Sequence, residues 1–176
     1  EGAFRSFYID TATGDDLENR VADFNMTRRE AQASRGIETF ISSTPAAATF
    51  IISAGTQVST QPDVFGDTIS FTVDNDITFV SGALTATGYV TCEILGIDGN
   101  VGSGLITNIP TTISGVTSVI NYEAFVDGST QETEDQLRKR VPIHLNGLQR
   151  ANEDGIKSQI LAIEGITLVR LEENNP

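Results

Sequence analysis

Two hydrophobic periods share this chain, and the change from one to the other divides it. Leu17, Val21 and Phe24 recur at i, i+4 and i+7, the stripe of an amphipathic helix. Asp15 and Asp16 suit its first turn, where carboxylates complement the helix dipole, and Asn25 suits the left-handed residue that closes it. Upstream, Phe4, Phe7, Tyr8 and Ala12 stand close to helical spacing until Thr13-Gly14 breaks it. From Gly36 to Val126 the period becomes two. Ile69, Phe71 and Val73 alternate with Ser70, Thr72 and Asp74, and Val90, Cys92 and Ile94 with Thr91, Glu93 and Leu95; Ile120, Tyr122, Ala124 and Val126 make a third apolar set. Turn residues at Ala54-Gly55, Pro62-Asp63 and Asp74-Asn75-Asp76 separate the runs. The pattern predicts strands near 37–42, 48–53, 56–60, 68–73, 76–80, 88–97, 104–107 and 116–126. Asp98-Gly99 is a strong signal for a type I′ hairpin turn.

Helical spacing returns after Thr130, with Leu137, Val141 and either His144 or Leu145 on one face. Ser129-x-x-Glu132 can form a capping box ahead of it. Pro142 lacks an N–H and crowds the carbonyl of Arg138, so a kink or stop is expected there, and Asn146-Gly147 ends the stretch. A last helix fits 153–164, with Asn152 capping and Ile156, Ile160 and Ile163 inward, and Ile166 to Leu171 reads as a strand. The fold class is therefore α+β: a mostly antiparallel β domain of about eight short strands flanked by N-terminal and C-terminal helices. Its segments are 1–35 helical, 36–126 β-rich, 127–164 helical, and 165–176 a strand leading into a further domain. The opening helix and closing strand lack local partners, so the natural chain is expected to continue past both ends.

Composition narrows the classes of function. At 176 residues with 39% hydrophobic and 20% charged positions, the chain is globular, and no apolar run approaches a membrane span. One cysteine excludes an internal disulfide framework, which fits assembly in a reducing cytoplasm. The net charge is −13, and residues 36–126 contain no Lys or Arg beside Glu38, Asp63, Asp67, Asp74, Asp76, Glu93, Asp98 and Glu123. A phosphate-binding footprint is thus missing from the β region, which argues against nucleic acid as a partner. Arg28, Arg29 and Arg35 form a small basic patch just before it, read as solvated or paired surface charge.

Catalytic chemistry finds few residues to use. His144, on a helix, and Cys92, in a strand, are the only members of their types, and Cys92 reads as a small buried hydrophobe. Zinc lacks a second Cys or His. Gly102-Ser-Gly104 lacks the third glycine of a dinucleotide fingerprint, and no P-loop is present. Asp98 with Asn100, and Asp74-Asn75-Asp76, offer oxygens for calcium, but a structural turn explains both more simply. No catalytic, cofactor-binding or metal residues are assigned, and no cofactor.

Read in order, the punctuation resembles that of the baseplate J-like family. Ala12-Thr-Gly14-Asp-Asp-Leu17 is similar to its opening helix, and Asn25-Met-Thr-Arg28 before Gly36-Ile37-Glu-Thr-Phe40 to its Gly-x-x-Arg turn and first strand. Ile52-Ser-Ala-Gly55-Thr56-x-Val58 resembles its Ile-Pro-Ala-Gly-Thr hairpin, and Gly96-Ile-Asp-Gly99-Asn100-Val101 its glycine corner. Ile113-Ser-Gly115-Val-x-x-Val119-x-Asn121, then Glu132-Thr-Glu134-Asp-x-Leu137-Arg138-x-Arg140 and Gly165-Ile-Thr-Leu-Val169, continue the series. Asn25, Ser53 and Ser129 depart from the usual Gly, Pro and Gly.

The resemblance implies a non-enzymatic structural component of a contractile-tail baseplate wedge. Its partners would be other baseplate and tail proteins and copies of itself in a ring around the tail tube. It would reside in the virion tail after assembly in the host cytoplasm, with neither nucleic acid nor a membrane span involved, and would repack on contraction. Interface chemistry is expected on the flanks, where Arg138 and Arg140 alternate with acids. The alternative is an adhesin-like or carbohydrate-binding β module stabilised by calcium, motivated by the Thr-rich acidic region.

Overall fold

A computed structural model describes residues 8–151. The chain forms two compact units, one of Glu30–Gln131 and one of Glu1–Arg29 with Glu132–Pro176. The first unit holds eight strands: β1 (Ala33–Ile41), β2 (Phe50–Ile52), β3 (Gln57–Thr60), β4 (Ser70–Val73), β5 (Ile77–Phe79), β6 (Thr85–Leu95), β7 (Ile106–Asn108) and β8 (Ser118–Ile120). Each falls within or across one of the eight expected runs. Gln32 and Ser129 form an isolated antiparallel bridge ahead of the first strand.

Six strands make one antiparallel sheet in the order β7-β3-β4-β6-β1-β8. It curls until its edges meet: the Ile106 amide donates to Asn121 Oδ1 (2.9 Å) and the Gly104 amide to the Asn121 carbonyl (2.6 Å). The result is a nearly closed barrel, which removes most exposed edge. β2 and β5 form a separate ribbon, with Phe50 and Phe79 stacked at 4.8 Å. Inside the barrel lie Phe40, Val58, Phe71, Val73, Val90 and Cys92, with Phe125 meeting Phe71 edge-on at 5.6 Å. Gly36 faces the Phe125 ring so closely that a methyl group would overlap it.

Two expectations change here. Asp98-Gly99 does not make a type I′ turn: Ile97–Gly99 is a 3₁₀ turn, and β6 pairs with β1 and β4, not β7. Gly99 is needed for space, since a Cβ would sit 2.7 Å from Cys92 Sγ. In the return segment the inward frame is Val119, Asn121 and Phe125, while Tyr122 (67% exposed) and Val126 (74%) face out. A one-residue change of frame exchanges the two faces.

The second unit contains α1 (Gly14–Ala22) and α2 (Glu134–Ala151). Leu17, Val21, Met26, Leu137 and Val141 form its buried cluster. Thr13 stands at the N-cap of α1, and Asn25 takes φ 55° after its end. α2 starts later than expected: the box is Thr133-x-x-Gln136, in which the Thr133 amide donates to Gln136 Oε1 (2.9 Å) and the Gln136 amide to Thr133 Oγ1 (3.3 Å). Ser129 serves the bridge to Gln32 instead. α2 also runs through Pro142 and past Asn146-Gly147. Pro142 is exposed while its neighbours Leu137 and Val141 are buried, so packing on the opposite side outweighs the lost amide hydrogen bond. The expected helix over 153–164 and strand over Ile166 to Leu171 lie outside the described residues.

Candidate functional site

Each candidate group has a structural neighbourhood that defines its use. Cys92 is 4% exposed, and its sulfur accepts from the Ile94 amide at 3.4 Å, as a packed core thiol would. His144 belongs to the other unit, where Nε2 donates to the Phe24 carbonyl at 3.2 Å. Asn100 exchanges both side-chain hydrogen bonds with the Gly128 backbone, at 3.0 and 2.9 Å, tying the glycine corner to the chain that follows β8. Asp74 accepts from Arg35 Nε and Thr91 Oγ1, both at 2.6 Å, and Asp76 accepts from the Ala54 amide at 2.8 Å. These oxygens hold turns. Among the described residues no group of three or more His, Cys, Asp or Glu gathers at metal-binding separation, and no helix is long and apolar enough to cross a membrane.

The arginines are committed as well. Arg140 forks onto Glu132, with Nε and one terminal nitrogen each 2.7 Å from a carboxylate oxygen, and reaches the Thr27 carbonyl at 2.6 Å. Glu132 is buried and also accepts from the Arg29 amide at 3.1 Å. The Arg140 hydrogen bonds hold its carboxyl below the usual range. Arg138 donates to the carbonyls of Ile9 (3.1 Å) and Ala12 (2.6 Å) and pairs with Glu134 and Asp135. Glu134 in turn accepts from the Gly14 amide at 2.8 Å, which lowers its pKa. Arg28 lies 2.9 Å from Glu18, though off the line of its N–H bond, and donates to the Glu132 carbonyl at 3.3 Å. Arg35 lies over Tyr89 at 4.2 Å. Arg138 and Arg140, on the flank where interface chemistry is expected, clamp the chain before α1 and after it to the start of α2.

Two groups escaped the sequence reading. Asn121 is fully buried; beside the Ile106 bond, its Nδ2 donates to the carbonyls of Gly102 (2.8 Å) and Glu123 (2.9 Å), so all its polar atoms are used. Glu38 is also fully buried, inside the barrel opposite Gly88, and neither carboxylate oxygen has a hydrogen-bond partner. Burial pushes its pKa up to about 8; the Thr39 amide opposes this but lies outside hydrogen-bond geometry. The available signal was parity, since Glu38 shares its strand face with Gly36 and Phe40.

Two open clefts lie on the barrel unit. One of about 480 Å³ is bounded by Thr44, Pro45, Ala46, Phe50, Ile51 and Ile113 and carries no charged side chain. Another, about 370 Å³, lies between Gln61, Ile69, Val101 and Leu105. Neither gathers a nucleophile, base or cation.

Residues 39–128 match the model of the Baseplate J-like protein barrel domain. No curated protein sequence matches the chain. Among solved structures, the fold is similar to a chain from the cryo-EM structure of the anti-feeding prophage baseplate, 6-fold symmetrised, with a TM-score of 0.57 at 13% identity. That alignment covers 85% of this chain and 46% of the other, so the chain spans about half the length of its structural relative.

Proposed function

We propose, from the premise that this chain belongs to the baseplate J-like family, that it is a wedge subunit of a contractile-tail baseplate. In this reading it packs against other baseplate and tail proteins and copies of itself, forms a ring around the tail tube, and repacks when the tail is triggered. It is not an enzyme and holds no cofactor. Assembly takes place in the host cytoplasm, and the finished particle carries the chain in its tail. The observation that carries the reading is the family match to the barrel over 39–128, more than half of the chain. The solved relative, itself part of a baseplate, supports it through fold.

Cryo-EM of tail-like particles purified with the full-length protein tests each part. Density for the barrel repeated around the tube, and displaced between extended and contracted particles, is the expected result. A full-length protein found only as a free monomer, with no particle containing it, would remove the reading.

A further inference from the structure

The loop joining β3 to β4 departs from the ordinary rule for apolar side chains. Val64 is 92% exposed and Phe65 86%, although Phe40, Phe71 and Phe79 of the same unit are fully buried. Single exposed hydrophobes are common; an adjacent pair at the tip of a braced loop is a different matter. Asp63 Oδ1 accepts from the amides of Phe65 (2.8 Å) and Asp67 (2.9 Å), and the Asp63 amide donates to the Asp67 carbonyl at 2.9 Å. Gly66, at φ 91°, donates to the Asp63 carbonyl, and the loop base is closed by two bonds between Thr60 and Ile69, each 3.0 Å. A loop fixed in this way surrenders little further freedom when its tip is covered.

Strand direction places other apolar groups at the same end of the barrel. β3 ends there and β4 begins, while β6 ends and β7 begins. Leu95 (63% exposed), Ile97 (58%) and Leu105 (54%) therefore share that end with Val64 and Phe65, and Leu105 walls the cleft beside the loop base.

Charge selects the partner. Asp63 and Asp67 flank the exposed pair, and residues 30–131 carry ten acids against one base, Arg35, which is paired with Asp74. A second acidic copy and an anionic lipid surface are both repelled by this field. We propose that Val64 and Phe65 form a docking knob that inserts into an apolar pocket, rimmed by Lys or Arg, on a different protein. Such a knob serves any multisubunit assembly, tail-like or not.

The test replaces Phe65 with the photocrosslinker p-benzoylphenylalanine in the full-length chain, made in the cells that assemble it. Intact complexes are irradiated and the joined peptides mapped. Adducts are expected on apolar residues of another protein that lie beside Lys or Arg in its structure, with a yield that drops several-fold when complexes form at about 1 M salt. Adducts confined to this chain or a second copy, adducts on lipid or on an acidic surface, a yield indifferent to salt, or no adduct would each overturn the proposal. A Val64→Ser, Phe65→Ser double variant should retain that crosslinked partner at least about tenfold less well, with an unchanged melting temperature because both side chains are exposed. Undiminished retention would also overturn it.

Discussion

A carboxyl group sealed in a hydrocarbon interior keeps its proton, and Glu38 is such a group. Its pKa stands at about 8 in the folded barrel against an ordinary 4.5. Below the lower value both folded and unfolded chains are protonated, and the barrel has its full stability. Between the two the unfolded chain releases a proton that the folded chain retains, so stability falls as pH rises, by about 1.4 kcal/mol per unit. Above about 8 the loss is complete. Glu38→Leu, similar in volume and without polar atoms, should flatten this slope and stabilise the barrel most near pH 8. Urea midpoints taken across that range test it; parallel pH profiles for variant and wild type would refute it. Asn121 presents the opposite case, a buried polar group with every bond made. Asn121→Ala strands the Ile106 amide and the Gly102 and Glu123 carbonyls, and should cost about 3 kcal/mol. Hydrogen exchange at the Ile106 amide should accelerate with it; protection left intact there would mean the barrel closes without Asn121.

Secondary-structure elements were legible where their cause is local. Every strand except β1 is followed by a glycine, asparagine or aspartate turn, and the α1 stripe of Leu17 and Val21 is buried as the 3.6-residue period implies. What misled was distant. From Ile120 to Val126 the even positions are all apolar, yet the true inward frame is the odd one and contains Asn121, whose partners come from the glycine corner and the start of β7. Glu38 is hidden by the same circumstance, a polar residue on a buried face. Gly99 carries the signature of a tight turn, yet its missing side chain is required by Cys92. Pro142 gives the reverse lesson, since a strong local stop signal yields to the burial of Leu137 and Val141. The arginine set of α2 was visible as charge and opaque as function, because its acceptors at Ile9, Ala12 and Thr27 lie over a hundred residues away. Arg140→Lys tests its structural role. A point charge cannot reproduce the fork onto Glu132 while also reaching the Thr27 carbonyl, so the helical unit should lose about 1 kcal/mol. Unchanged denaturant midpoints followed by α2 helicity would mean the fork contributes only Coulomb attraction.

For the whole molecule, the two buried glutamates set opposite responses to acid. Glu132, in the helical unit, has a lowered pKa, chiefly through its hydrogen bonds from Arg140 and against the effect of burial. A carboxylate of this kind contributes stability above its unfolded pKa and loses it as pH falls through the folded value. Glu38, in the barrel, loses stability as pH rises from the ordinary carboxylate range towards about 8. Acidification from neutral pH to about 4 should therefore strengthen the barrel while it begins to weaken the helical unit. Native-state hydrogen exchange resolves the two, once intrinsic rates are corrected for pH. Opening free energies for amides of β1 and β6 should rise on acidification, and those of α1 and of α2 up to Val141 should fall at its acid end. The pH dependence also makes a single unfolding free energy for the chain a poor descriptor, since the stability difference between the units shifts with conditions. Glu38→Leu should abolish the rise in the barrel and leave the fall in the helices, whereas Glu132→Gln should do the reverse. If one substitution flattened both profiles, the units would unfold as one cooperative body and the separate assignment of the two limbs would be wrong.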